Sequence, residues 1–196
     1  MNFGRKLILL NIATLSLFCV MTFMSCNPIE KTDFVEKVRV GDSLPEFRVT
    51  DLVGGNWTGD GLAHSGKVVV ILFFNPGCED CRKEMPRLSS AYNHLEEVYG
   101  EEHIQFIGIG RESNETQTME FVQKFGVRFP MCPQKDRKVF ELFATLSIPR
   151  IYITDTEGIV RYIHNDNPLA TEEDIIKEIS GLISVSDDST KGIVLK

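Results

Sequence analysis

The sequence lacks an excess of positive charge, a second cluster of cysteine or histidine, and any internal repeat. Its formal net charge is −7, which argues against a nucleic-acid partner because affinity for phosphate backbones comes from clustered lysine and arginine. The histidines are scattered, and no second Cys or His pair stands at metal-ligand spacing, so no metal site is predicted. With 196 residues and no second domain boundary, the chain is expected to form one domain.

Two cysteines separated by two residues, Cys78 and Cys81, stand between an apolar run and a polar stretch that favours a helix. The run from Val68 to Phe74 carries no charge. Side chains three residues apart at a helix start lie on one turn, within the Cα separation of about 4.4–6.8 Å that a disulfide needs. The first thiol would lie beside free N–H groups and the positive end of the helix dipole, which favour its thiolate. This spacing predicts a reversible thiol–disulfide centre.

The first 26 residues form a predicted targeting segment. Arg5 and Lys6 precede a mostly apolar stretch at 7–24, and loss of these two charges would take the net charge from −7 to −9. The segment ends at Cys26 in a stretch that resembles a bacterial lipobox, so we predict that Cys26 carries lipid. An uncleaved membrane anchor and a plain secreted protein are the alternatives. All three place the domain outside the cytoplasm, where disulfides persist, and the predicted anchor places it in the cell envelope, facing the periplasm.

One further cysteine would remain beside the pair once Cys19 leaves with the targeting segment and Cys26 is lipidated. This residue, Cys132, lies in an extended segment between two prolines. A thiol there could resolve a mixed disulfide, but a buried and inert thiol is the commoner case. We predict the inert state.

The rest of the chain divides by composition into a polar tether at 27–37, a folded domain at 38–183 and a polar tail at 184–196 that is expected to fray. Apolar runs and alternation predict strands at 68–74, 104–109, 151–154 and 159–163, with two short ones within 38–52. Amphipathic patterns predict helices at 81–99, 115–125 and 136–146. Pro86 is expected to kink the first of these, and the second is expected to turn Met119, Phe121, Val122 and Phe125 inward. A last helix is predicted after Thr171, which would cap it. Their order predicts an α/β sandwich with mixed strands.

The stretch from Phe73 to Pro86 resembles the active-site region of thioredoxin-like proteins, above all the membrane-tethered extracytoplasmic thiol–disulfide oxidoreductases of the TlpA/ResA type. The similarity extends from about Val40 to Ile183. It implies a thioredoxin-like fold: a central mixed sheet flanked by helices, with an N-terminal β-hairpin and a mid-chain insertion. It also implies that the Ile148-Pro149 bond is cis and faces the cysteines, so that the Ile148 backbone pairs with a substrate strand.

Two departures from the family pattern bear on the site. Pro76-Gly77 replaces the aromatic residue that is usual before the first cysteine, so we expect an open rim for substrate. Leu72 stands where cytoplasmic thioredoxins carry a buried acid, so proton handling at Cys81 needs another group. Glu84 matches the glutamate of the TlpA/ResA pattern, and we expect it to relay protons. An ordinary surface glutamate is the alternative.

Two carboxylates beside Cys78, those of Glu79 and Asp80, raise the cost of its thiolate. A less stabilised thiolate makes the couple more reducing, so we expect a reductant of disulfides in extracytoplasmic proteins. In this interpretation Cys78 attacks and Cys81 resolves, while an unidentified membrane partner donates the electrons. No metal or organic cofactor is implied.

Three alternatives stay open. A peroxidase of the peroxiredoxin kind shares the fold family, but Asn75 replaces the threonine three residues before its reactive cysteine. A copper carrier would use both thiols with a late histidine such as His164, although those carriers resemble a wider cysteine spacing. A non-enzymatic adhesion or scaffold domain would keep a structural disulfide that resists mild reductant.

Overall fold

A mixed sheet lies at the centre of the computed structural model, which describes residues 35–191 and, for side chains, residues 35–183. Two short strands, β1 (Arg48–Thr50) and β2 (Asn56–Thr58), precede it as an antiparallel hairpin. The sheet consists of β3 (Val68–Phe74), β4 (Ile104–Gly110), β5 (Met131–Cys132), β6 (Arg150–Thr154) and β7 (Val160–His164). In space the strands follow the order β5-β4-β3-β6-β7.

The central strand β3 is buried along its whole length, as its uninterrupted apolar sequence predicts. Strand β4 pairs with it in parallel up to the last pair, Phe74 with Gly110, and β6 pairs with its other edge in antiparallel orientation. The carboxyl ends of β3 and β4 therefore lie side by side. This places the turn before Cys78 next to the segment that follows β4.

Helices flank the sheet within the described residues: α1 (Gly59–Ala63), α2 (Glu79–Tyr99), α3 (Glu115–Phe125), α4 (Phe140–Phe143) and α5 (Glu172–Lys191). Helices α2 and α5 pack against each other. In residues 35–191, no helix has both the length and the apolar character that a membrane crossing requires.

Helix α2 begins two residues earlier than the pattern predicted, because Cys78 acts as its N-cap. It runs on through Pro86 to Gly100, whose positive φ of 79° ends it. Its inner face is apolar and includes Met85, Leu88, Ala91 and Leu95, all fully buried. Burial of this face fixes the helix, and with it the two cysteines, against the sheet.

Helix α3 has the predicted bounds because both ends carry local signals. The Asn114 and Gln117 side chains form a reciprocal capping box, and Gly126 ends the helix with a φ of 62°. The inward prediction was wrong for Met119, which is 41% exposed. The buried stripe instead includes Thr118 and Phe121, three residues apart, and Met119 lies about 100° away from Thr118 around the helix.

The helix predicted at 136–146 shrinks to α4, which lacks a side-chain cap. Ala144 takes up extended backbone and forms a bridge with Glu36, so the chain leaves the helix early to pair with a distant segment. The two strands predicted within 38–52 also differ: only β1 forms there, while Ser43 makes an isolated bridge to Ile159.

The last helix begins where predicted, since the Thr171 hydroxyl accepts a 3.1 Å hydrogen bond from the Asp174 N–H. Helix α5 then continues to Lys191, into the polar segment expected to fray.

Residues 35–38, which we call the N-terminal strap, lie along the chain that leaves α4. The N–H groups of Lys37 and Val38 both donate to the Phe143 carbonyl, and the Thr145 N–H donates to the Val35 carbonyl. The strap therefore supports the chain that leads to the Ile148-Pro149 loop.

Candidate active site

The turn between β3 and α2 is held by the side chain of Asn75. Its Oδ1 accepts a 2.7 Å hydrogen bond from the Gly77 N–H, and its Nδ2 donates to the Arg111 and Glu112 carbonyls at 2.7 and 3.2 Å. The Asn75 carbonyl accepts from the Cys78 N–H at 3.0 Å. One amide side chain thus fixes the approach to the first cysteine and ties it to the segment after β4.

Cys78 lies at the helix start, as predicted. Its sulfur accepts a 3.4 Å hydrogen bond from the Cys81 N–H, one of the free donors of the first turn. The Cys78 thiol lies 3.5 Å from the Ile148 carbonyl oxygen, to which it donates. The Ile148-Pro149 bond is cis, so the arrangement that the family resemblance implied is present. The half-exposed Cys78 can meet a client while Cys81 cannot, because Cys81 is 1% exposed.

Burial raises the pKa of the Cys81 thiol far above its ordinary range, and its hydrogen bond with Cys78 raises it further. The Asn75 backbone and the charge of Arg111 act in the opposite direction. Cys78, Cys81 and Cys132 are all free. Cys132 lies fully buried in β5, and burial raises the pKa of its thiol as well, which agrees with the predicted inert state.

Glu84 lies on the buried face of α2 and is 1% exposed, so its interpretation as a surface glutamate was wrong. Neither of its carboxylate oxygens has a hydrogen-bond partner among the described residues. Burial raises the pKa of Glu84 to about 7, although the charges of Arg87, 3.7 Å away, and of His164 lower it. The environment of Glu84 thus brings the pKa of its carboxyl close to neutral pH.

His164, the residue considered for copper, pairs instead with Glu178 of α5 at 2.7 Å. Among residues 35–191 no group of three His, Cys, Asp or Glu side chains is placed to hold a metal ion. Of the predicted site residues, the structure brings together the two cysteines, Ile148-Pro149 and the turn at Pro76-Gly77.

Several residues of the site were missed by sequence reasoning. Arg82 donates to the Pro76 and Gly77 carbonyls at 3.1 and 3.0 Å, which orients the rim. Lys83 forms ion pairs with Glu79 and Asp80 at 2.9 and 3.0 Å. Spacings of three and four residues on a helix could have identified the Lys83 pairs, and these offset part of the carboxylate charge beside Cys78.

A second missed group follows the cis bond. Arg150 is 1% exposed, and its guanidinium bonds to the carboxylate of Glu36 in the N-terminal strap. The Tyr152 hydroxyl bonds to the other oxygen of the same carboxylate, and burial together with Glu36 raises the pKa of Tyr152. No local pattern signals this cluster, because 114 positions separate Glu36 from Arg150.

Comparison with known proteins gives consistent matches. The model of the AhpC/TSA family matches residues 40–163. The thiol-disulfide oxidoreductase ResA of Bacillus anthracis is 28% identical over 146 residues, which are 74% of this chain and 81% of that protein. A ResA protein of Bacillus cereus is 30% identical over 125 residues, 64% of this chain and 69% of that protein.

Solved structures agree with the sequence matches. The solution structure of a candidate protein disulfide isomerase from Bacteroides thetaiotaomicron superposes with a TM-score of 0.65 at 26% identity, covering 75% of this chain and 91% of that chain. The thioredoxin-like fold that the family resemblance implied is confirmed, and so is the thiol–disulfide oxidoreductase activity. The chain therefore belongs to the AhpC/TSA family of thioredoxin-like proteins, among thiol–disulfide oxidoreductases of the ResA kind.

Proposed function

We propose that this protein reduces disulfide bonds of extracytoplasmic proteins through Cys78 and Cys81. The observation that carries the proposal is the asymmetry of the pair. Cys78 is half-exposed beside the Ile148 carbonyl, while Cys81, one helical turn further along α2, is 1% exposed. One thiol can reach a client and the other can act only after the client is attached.

The exchange takes place in two steps. The Cys78 thiolate attacks one sulfur of the client disulfide, that S–S bond breaks, and a mixed disulfide forms while the other client sulfur leaves as a thiol. The Cys81 thiolate then attacks the Cys78 sulfur and releases the client. The client has gained two electrons, and the protein holds a Cys78–Cys81 disulfide that a membrane donor must reduce.

The cis loop and the turn supply the docking edge for the client. Ile148 is 8% exposed, so we expect its backbone rather than its side chain to meet an extended client segment. On the other side of Cys78, Pro76 is half-buried and Gly77 is exposed, so no large side chain covers that side of the site. This open edge suits protein clients that present a cysteine in an extended stretch.

Glu84 is the proposed proton carrier for Cys81. A carboxyl with a pKa of about 7 holds and releases protons at neutral pH, which is the condition for efficient general acid–base catalysis. It lies one helical turn beyond Cys81 on the same buried face. We propose that it accepts the Cys81 proton as that thiol becomes the nucleophile.

Attachment to the membrane through a lipidated Cys26 is part of the proposal, with the domain facing the periplasm. Cys26 and the rest of residues 1–34 lie outside the described part of the chain. Support comes from the sequence alone: the basic start, the apolar stretch and the lipobox-like end. A tethered reductant would meet both envelope clients and a membrane electron donor.

The peroxidase alternative is not favoured. Asn75, which stands in place of the threonine of peroxidases, uses its side chain to hold the turn and the segment after β4. A peroxide-consumption assay separates the two activities, since a disulfide reductant would consume no peroxide beyond the rate of its free thiols.

A trapping experiment tests the proposed function. Cys81→Ala should accumulate mixed disulfides with clients on Cys78 in living cells, because release requires Cys81, and Cys78→Ala should trap far fewer. Mass spectrometry of the trapped species would identify the clients. If neither variant traps a client and Cys132→Ala alters exchange, the reactive pair is misassigned.

A further inference from the structure

Arg111 is held against the turn that precedes Cys78 by its own backbone. It follows the last residue of β4, and its N–H donates to the Phe74 carbonyl at 2.7 Å. Its carbonyl accepts from Asn75 Nδ2, also at 2.7 Å. Both neighbours belong to the short segment that carries the chain from β3 to Cys78, so the position of Arg111 relative to the cysteines is fixed on two sides.

The Arg111 side chain is largely buried yet incompletely paired. It is 18% exposed, and its guanidinium carbon lies 5.1 Å from the centroid of the Phe140 ring. Its buried Nε has no hydrogen-bond partner among the described residues, and the nearest carboxylate oxygen, on Glu112, is 3.7 Å away. Keeping a guanidinium in such a place costs free energy, so a role in the site is the natural explanation.

The charge of Arg111 acts on the buried thiol of Cys81. Burial and the like charge of Arg137 lower the pKa of Arg111, whereas Glu112, Cys81 and Cys78 raise it. In the reverse direction, Arg111 opposes the effects of burial and of Cys78 on Cys81. The effects on Cys81 thus come from burial, Cys78, the Asn75 backbone and Arg111, while Glu84 is the proposed acceptor of its proton. Among these groups Arg111 is the cation.

We propose that Arg111 promotes the second step of the exchange, in which the buried Cys81 attacks the mixed disulfide. This inference rests on the proposed function. In that step Cys81 gives up its proton, a bond forms between the Cys81 and Cys78 sulfurs, and the bond from Cys78 to the client sulfur breaks. Negative charge is shared among the sulfurs as it passes to the client, which leaves as a thiolate and takes up a proton. A cation that is held against the turn before Cys78 by its own backbone can stabilise this charge without reorganisation.

The first step depends less on Arg111. Cys78 is half-exposed and its sulfur accepts a hydrogen bond from the Cys81 N–H, so solvent and a backbone donor both reach this sulfur during its attack. Cys81 is 1% exposed and has no such solvation. Removal of Arg111 should therefore separate the two steps kinetically, which loss of a purely structural contact would not do.

The test uses the reduced full-length protein with Cys19 and Cys26 both replaced by serine, so that neither adds to the signal, and dithiobis-nitrobenzoate as a disulfide substrate. Attack by Cys78 releases one coloured thionitrobenzoate, and attack by Cys81 releases the second, so stopped-flow absorbance records both steps. In Arg111→Gln we expect the second release at pH 7 to slow about tenfold, which is about 1.4 kcal/mol in activation free energy, while the first changes less than about twofold. The pH at which the second release reaches half of its maximal rate should move upward.

Arg128→Gln is the control, because the Arg128 guanidinium also lies against an aromatic ring, that of Tyr92 at 5.9 Å, but bonds to Asn93 and Glu96 in the later part of α2. We expect it to leave both releases unchanged. Arg111→Lys keeps the charge and should restore most of the second rate. If Arg111→Gln fails to fold, Arg111→Met keeps the apolar stem against Phe140 and serves the same comparison.

Equal slowing of both releases in Arg111→Gln, or an unchanged second release, would overturn the inference. Failure of the proposed function has a different signature: the wild-type protein itself would release no second thionitrobenzoate. The two failures are thus distinguishable in one set of traces.

Discussion

At the scale of single residues, the carboxyl of Glu84 links activity to pH. Burial raises its pKa to about 7 against the opposing charges of Arg87 and His164. If it accepts the Cys81 proton, Glu84→Gln should slow disulfide exchange at neutral pH and remove a step near pH 7 from the pH–rate profile. Identical profiles for the two proteins would mean that Glu84 takes no part in proton transfer.

The same pKa has a consequence for stability. Because the folded pKa lies above the unfolded value of 4.5, folding favours the protonated acid, and this contribution is lost as pH rises from about 4.5 to about 7. The free energy of unfolding of the wild type relative to Glu84→Gln should fall by about 3 kcal/mol over that interval. Urea titrations at pH 4.5 and pH 8 measure it, and a constant difference would contradict the assignment.

Two acids in the first turn of α2 are expected to set the redox direction. Glu79 and Asp80 oppose the Cys78 thiolate, while their ion pairs with Lys83 reduce the effect. We expect equilibration with glutathione to place the couple on the reducing side of about −200 mV, and the double change Glu79→Gln, Asp80→Asn to make it more oxidising. Glu97→Gln, on the same helix but remote in sequence, is the control. A wild-type potential near −120 mV, typical of strong oxidants, would reverse the proposed direction.

At the scale of secondary-structure elements, the N-terminal strap stabilises the cis loop. Glu36 is the carboxylate that meets both Arg150 and Tyr152. Loss of one partner of a fully buried ion pair costs about 3–5 kcal/mol. Because Glu36 is 21% exposed, we expect a smaller loss, and Glu36→Gln should lower the thermal midpoint by about 5 °C. Glu46→Gln, an exposed residue whose carboxylate bonds only to the Asp60 N–H among the contacts of described residues, should lower it far less. Equal midpoints for the two variants would show that the strap contributes little.

At the scale of the whole molecule, the expected anchor is a lipid on Cys26. A single acyl chain binds membranes weakly, and stable attachment takes more than one, as a bacterial lipoprotein would provide. The protein should therefore fractionate with membranes, and Cys26→Ala should move it to the soluble fraction with a changed gel mobility. If Cys26→Ala fractionates and migrates like the parent, the lipoprotein prediction is wrong.

The sequence by itself determined the features that arise from neighbours in the chain. The spacing of Cys78 and Cys81, the apolar run of β3 and the capping residues of α3 and α5 all act within a few positions, so their patterns are visible without a structure. The resemblance to thioredoxin-like proteins added the cis bond at Ile148-Pro149. These features were enough to predict the fold, the reactive pair and the activity.

Only the tertiary structure decided which side chains meet across the fold. A helical pattern shows that Glu84 follows Cys81 by one turn, but its burial depends on the packing of α2 against the rest of the domain. Asn75 and Arg111 lie 36 positions apart and meet because β3 and β4 end side by side. Periodicity reports whether a residue faces inward, not what it contacts there, because long-range pairing is set by how the elements pack.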